Sequence, residues 1–154
     1  MGKYVREERK EILLVFCVRY LYISFINVFF FRFLLVSVRL KGVNYSDQMG
    51  RVEFSLNGVW GTICDDTWNI RNAHVVCNMM GLPPATAALG SAVFGRGEGV
   101  IWLDTLNCFG NESSILECEH SAFGNIKGCN HYSDSGAMCG LAPGKLITFI
   151  LHKK

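Results

Sequence analysis

Apolar and polar residues alternate over Arg51–Leu56, with Val52, Phe54 and Leu56 on one side and Arg51, Glu53 and Ser55 on the other. That period of two predicts a half-buried strand. Asn57-Gly58 follows, a pair favoured in two-residue hairpins because both positions take positive φ. Val59–Cys64 is then the return strand. Further on the period changes: Ala73, Val76, Cys77 and Met80 recur at helical spacing and predict a helix over Ile70–Met80. Asn69 is placed to cap its start, Gly81 to cap its end, and Pro83-Pro84 stops the run. The glycine-rich stretch 85–99 reads as a loop, Val100–Leu103 as a short strand and Ser113–Glu117 as one serine-capped helical turn. Ala137–Cys139 is placed to close a sheet. The elements predict a small α+β domain in which a curved, mostly antiparallel sheet cradles one main helix.

Upstream the pattern is different. Residues 1–11 are polar and mixed in charge, whereas 12–37 are dominated by Leu, Ile, Val, Phe and Tyr. The window Tyr20–Val38 has thirteen Leu, Ile, Val and Phe residues and a single charge, Arg32. Such residues favour bilayer insertion by about 4–8 kcal/mol in all, against at most ~3 kcal/mol for Arg32. A hydrophobic N-terminal helix acting as a signal anchor is the expectation. A cleaved signal peptide is the rival, although the stretch is long for one and has no A-x-A-like cleavage site. A third reading is that the segment is neither. Basic residues before it outnumber those just after it, which places the N-terminus in the cytoplasm and residues 39 onward outside. The tail 141–154 has an apolar run, Leu146–Leu151, too short to span a membrane.

Composition narrows the function. The 154 residues are 50% hydrophobic and 18% charged, too apolar for a disordered chain and long enough for one ordinary domain. The net charge of +2 is unevenly spread. Residues 38–140 hold six Lys/Arg against ten Asp/Glu, so the basic character belongs to the ends. An acidic domain is a poor partner for phosphate backbones, which counts against nucleic acid.

Six of the seven cysteines lie between 64 and 139, with no C-x-x-C spacing of the kind that zinc sites and thiol redox enzymes use. They read as three disulfides formed in an oxidising compartment, a conclusion that agrees with the outward orientation of residues 39 onward. Fifteen pairings are open on spacing alone. Cys17, within the apolar segment, reads as a buried free thiol.

The most specific residues are Gly50-Arg51-Val52-Glu53, then Trp60-Gly61-Thr62-Ile63-Cys64-Asp65-Asp66-Thr67-Trp68, then Ala73-His74-Val75-Val76-Cys77. After them come Trp102-Leu103-Asp104, Cys108-Phe109-Gly110-Asn111-Glu112, Leu116-Glu117-Cys118, Cys129-Asn130-His131 and Asp134-Ser135-Gly136-Ala137-Met138-Cys139. Over about 38–140 the chain closely resembles the scavenger receptor cysteine-rich (SRCR) domain, in its six-cysteine form. The resemblance implies the pairs Cys64–Cys129, Cys77–Cys139 and Cys108–Cys118, hence a disulfide-stapled fold. It also implies a divalent cation, Ca²⁺ or Mg²⁺, held by paired aspartates at Asp65 and Asp66, with Asp104 as a further candidate. Two family positions depart from the pattern: Ser133 stands where the third ligand is a glutamate, and Gly128 where an asparagine precedes the cysteine.

Other candidates are plainer. Asn44-Tyr45-Ser46 and Asn111-Glu112-Ser113 are N-glycosylation sequons in expected loops. Arg39, Lys41, Arg51, Arg71, Arg96 and Lys127 are spread along the chain and read as scattered solvated cations, unless folding gathers them. His74 and His131 read as structural or surface residues, with no nucleophile–base order about them. No H-E-x-x-H, G-x-S-x-G or P-loop pattern occurs, so a binding module is expected, not an enzyme. The resemblance implies extracellular recognition of a protein, polyanion or glycan, displayed by a membrane-anchored scavenger, pattern-recognition or adhesion receptor. Secretion is the alternative location. The alternative function is a fragment of a secreted or membrane mosaic protein, in which the domain is an accessory to a protease or oxidase. A less favoured reading is an intracellular protein with reduced thiols.

Overall fold

The computed structural model describes residues 34–140. Most of the apolar segment 12–37, Cys17 and the tail 141–154 lie outside the described residues. Strand β1 (Val36–Ser46) begins two residues inside that segment, so Val36 and Ser37 belong to the sheet. Next come β2 (Met49–Leu56) and β3 (Val59–Ile63), joined at Asn57 and Gly58, whose φ values of 51° and 86° make the expected hairpin turn.

Helix α1 spans Ile70–Met79. Asn69 caps it by accepting the Arg71 N–H at 2.9 Å, and Gly81 follows at φ 67°. Asn72, Ala73, Val75, Val76 and Cys77 are buried on its inner face. Strands β4 (Ala85–Leu89), β5 (Val100–Leu103), β6 (Leu106–Asn107), β7 (Glu119–His120) and β8 (Gly136–Cys139) complete the elements, with a 3-10 turn at Ile115–Glu117 capped by Ser114.

Six strands form one curled mixed sheet in the order β4-β8-β2-β3-β5, with β1 also paired to β2. Strand β2 serves three partners: β1 lies along one edge, while its other edge pairs with β8 at Met49–Arg51 and with β3 at Glu53–Leu56. β3 and β5 pair in parallel; the other ladders of this sheet are antiparallel. Strand β4 corrects the expected loop over 85–99. Its alanine-rich sequence carries little intrinsic strand preference, and pairing with β8 decides its state. Val52, Phe54, Ile63, Val75, Val76 and Leu103 are among the fully buried residues of the core between sheet and helix.

The bridges are Cys64–Cys129, Cys77–Cys139 and Cys108–Cys118, the pairs the resemblance implies. The first two close 65- and 62-residue separations, and Cys77–Cys139 fastens α1 to β8. A crosslink of this kind typically stabilises by ~2–4 kcal/mol, which matters in a core this thin. Among the described residues no helix is long and apolar enough to cross a membrane.

Candidate functional site

Sheet register builds the first site. Arg39 of β1 lies directly opposite Glu53 of β2, and Glu53 opposite Thr62 of β3. Arg51 and Ser55 share that face with Glu53 because side chains repeat every second residue, and Ser55 is opposite Trp60. One sheet face therefore carries Arg39, Arg51, Glu53, Trp60 and Thr62. The Arg39 Nε–H donates to Glu53 Oε2 at 2.8 Å, and an Arg51 Nη2–H donates to Glu53 Oε1 at 2.6 Å. Burial pushes the Glu53 carboxyl up, but hydrogen bonds and charge from Arg51 and Arg39 outweigh it and hold it below its ordinary value. The Arg39 guanidinium also lies 3.9 Å from the centre of the Trp60 ring.

The segment after β4 closes over this face. Gly95 accepts an Arg51 Nη1–H through its carbonyl at 2.8 Å, and the Gly97 N–H donates to Asp134 Oδ2 at 2.6 Å. A Cβ on Gly97 would meet the Thr62 methyl at 2.5 Å, so only glycine permits this approach. The loop thereby brings in exposed Arg96, stacked 3.6 Å above the Tyr132 ring. The result is a cleft of about 300 Å³ lined by Arg39, Arg51, Glu53, Trp60, Arg96 and Glu98. Three of the six cations expected to be scattered are gathered here. Sequence reasoning missed this because Arg39 and Arg96 meet through a strand and a glycine loop that it had not joined.

The paired aspartates sit elsewhere. Asp65 is partly buried and Asp66 exposed. Asp65 Oδ2 accepts the Ser91 N–H. Asp134, next to Ser133, is turned away into the core. Its side chain is fully buried, and His131 Nδ1 lies 3.1 Å from both of its oxygens. Asp104 is also committed, accepting the Lys127 N–H at 3.0 Å, and does not join the Cys64, Asp65, Asp66 cluster. Cys64 is bridged to Cys129 and offers no thiolate. Two adjacent carboxylates, one already engaged, fall well short of the six to eight oxygens Ca²⁺ takes. Of the three carboxylates expected to hold the ion, the structure brings together only Asp65 and Asp66.

A second feature is the loop pinned by Cys108–Cys118, whose separation is 10 residues. Buried Asn72 reaches it from α1: its amide donates to the Leu106 carbonyl at 2.7 Å and its carbonyl accepts the Cys108 N–H at 3.1 Å. At the tip the Glu112 carboxylate accepts three successive N–H groups, from Phe109 at 2.7 Å, Gly110 at 2.8 Å and Asn111 at 3.1 Å. The Phe109 N–H is the largest cause holding the Glu112 carboxyl below its ordinary value. The Ser113 hydroxyl does the same for Glu117. Between this loop and α1 runs a groove of about 420 Å³, lined by His74, Asn78, Leu82, Pro84, Gly110 and Asn111.

The described residues thus form a disulfide-stapled sheet with one embraced helix and a charged surface cleft. Residues 43–140 match the family model of the scavenger receptor cysteine-rich domain, and the chain belongs to that family, an extracellular receptor-type module. It is similar to lysyl oxidase homolog 2 of Homo sapiens, with 41% identity over 104 residues, 68% of this chain and 13% of that protein. With lysyl oxidase homolog 3B of Danio rerio the identity is 43% over 101 residues, 66% of this chain and 12% of that protein. The chain thus spans a small part of these relatives' length. Among solved structures, the third SRCR domain of murine neurotrypsin matches with a TM-score of 0.63 and 38% identity, covering 70% of this chain and 99% of that one. The SRCR domain of mouse MARCO, in its dimeric form, matches with a TM-score of 0.55 and 43% identity, covering 60% and 86%.

Proposed function

We propose that the domain recognises anionic groups on an extracellular protein or glycan through the cleft of Arg39, Arg51 and Arg96. The observation that supports this is the gathering of three guanidinium groups in one cleft against two carboxylates, Glu53 and Glu98, beside two aromatic rings. Glu53 orients Arg39 and Arg51 by filling one side of each fork, and the pair with Glu53 still carries net positive charge. Arg96, stacked on Tyr132 and exposed, is the residue free to reach an incoming sulfate or carboxylate. Dextran sulfate is the first probe, with uncharged dextran as its control. Arg96→Ala is expected to weaken binding about tenfold, the loss of one charge-assisted contact, and to flatten its salt dependence. Equal binding of both polymers would end this reading.

A second reading is supported by the relatives' names: the domain is one module of a longer mosaic whose chemistry is performed elsewhere, as in the lysyl oxidase homologs. Full-length transcript sequencing tests it, an open frame running on into another domain being the expected result. Membrane display through 12–37 is the form supported by the apolar run of that segment. Retention in the pellet after alkaline carbonate extraction is expected, and release to the supernatant would leave secretion.

A further inference from the structure

The groove between α1 and the 108–118 loop has no part in anion recognition, and its rim includes Asn111 of the sequon Asn111-Glu112-Ser113. We propose that an N-linked glycan on Asn111 lies folded into this groove, its first N-acetylglucosamine packed against α1 instead of projecting into solvent. Four observations converge on that occupant. Asn111 is exposed, and its loop is held rigid by Cys108–Cys118 and by the three N–H bonds to Glu112, so the attachment point is fixed. The groove wall is amphipathic: Leu82 and Pro84 offer apolar surface, while His74 and the side-chain carbonyl of Asn78, whose amide donates to the Glu112 carbonyl at 3.2 Å, offer hydrogen-bonding groups. That combination matches a sugar with an apolar ring face and an acetamido group. His74 is half-buried at the groove, and its Nδ1, covered as the ring stands, has no hydrogen-bond partner among protein atoms, so a turn of the ring would present an unmet polar group to a sugar. Finally, attachment at the rim makes the contact intramolecular, so weak interactions are enough to hold it.

The other sequon has none of this. Asn44 stands at φ 56° in the irregular part of β1, exposed and away from that groove. A glycan there would project freely. The two sequons therefore differ in what the surface around each can do with a sugar, a distinction their tripeptides do not carry.

The inference rests on the extracellular reading, since sugar addition needs the secretory pathway. Expression of the full chain directed through that pathway separates the two, because the sugar is then added wherever the native chain resides, and the dextran sulfate result does not affect it. Glycopeptide mass spectrometry is expected to find Asn111 modified. Release of that glycan by peptide N-glycosidase is expected to be at least about tenfold slower from native protein than from denatured protein, the ratio set by a seated state outnumbering the open one. Pro84→Trp, at an exposed position of the groove wall with no side-chain bond to the sequon, is expected to keep the glycan and bring native release to within about twofold of the denatured rate. His74→Ala, a smaller change, is expected to shift release the same way while leaving the melting curve cooperative. An unmodified Asn111 overturns the proposal. So does a glycan released as fast from the native as from the denatured wild type, or slow release unchanged in both variants.

Discussion

The cleft on the sheet and the loop at 108–118 both spend carboxylates on internal bonds, but to opposite ends. In the cleft Glu53 is satisfied by side chains: buried Arg51, which also bonds the Gly95 carbonyl, and Arg39, which stays 40% exposed and keeps its charge at the surface. In the loop Glu112 is satisfied by backbone, Phe109 to Asn111, and the result is a stiff tip whose ionised carboxylate is tied to main chain, with Phe109 85% exposed. A carboxylate bonded to arginines organises charge for a partner, whereas one bonded to main chain organises shape. The first region depends on register between strands, the second on one short crosslink and one buried amide.

Breaking the crosslink is the largest test of that contrast. Cys108→Ala with Cys118→Ala is expected to cost ~3 kcal/mol by chemical denaturation, the value for a short closed loop. Hydrogen exchange should rise over 106–118 while the amides of β2 and β3 stay protected. Loss of protection across both regions would show that they are one cooperative unit.

Glu53→Gln attacks the other side. Removing the charge between Arg39 and Arg51 is expected to cost about 2–3 kcal/mol, and to weaken dextran sulfate binding through disordered guanidinium groups although it removes a negative charge. Tighter binding would mean that Glu53 only competes with the ligand.

Acid sharpens the comparison further. The Glu53 carboxyl is held below its ordinary value of 4.5, so its contribution is complete above about pH 4.5 and is lost as pH falls through the lower folded value. Glu112 and Glu117 are depressed in the same direction and act in the same window. The stability difference between wild type and Glu53→Gln, read from melting temperatures, is therefore expected to shrink below pH 4.5 and to be flat from there to pH 7. A difference that grows on acidification has the wrong sign.

The smallest expected effect is that of calcium. Wild type should show no heat in calorimetric titration with Ca²⁺, because Asp134 is consumed by Gly97 and His131 and Asp65 by Ser91. Ser133→Glu would place a third carboxylate beside Asp65, whose N–H already bonds the Ser133 carbonyl at 2.8 Å, and is expected to gain weak binding. Strong wild-type binding would mean that the aspartates recruit ligands from elsewhere.

Where local chemistry settled the structure, the sequence was readable. The Asn57-Gly58 turn, the Asn69 cap and the α1 face all follow from residues adjacent in the chain, and the runs Trp60–Trp68 and Ala73–Cys77 together with the spaced cysteines carried the family resemblance. Strand β1 was hidden by its surroundings. Val36, Val38 and Leu40 alternate with Ser37, Arg39 and Lys41, but the pattern starts inside a uniformly apolar stretch that masks its period. β4 was hidden because its pairing partner, β8, lies some fifty residues away. The cleft inherited both gaps: Arg39 sits on β1, and Arg96 on the loop that β4 launches. No property of the separate arginines foretold their meeting, because it is set by strand order and by a glycine at 97.

Strand β8, the last of the sheet to leave the ribosome, is not an edge. It lies between β4 and β2 and carries Cys139, the partner of a cysteine on α1. Until residues 136–139 emerge, β4 has no ladder and the first half of β2 lacks one of its neighbours. Synthesis therefore exports a nascent chain whose sheet is split and whose thiols at 77 and 64 await distant mates, a state exposed to chaperones and oxidoreductases. Closure is all at once and late, so truncation by even these four residues should abolish secretion of folded material, not merely weaken it.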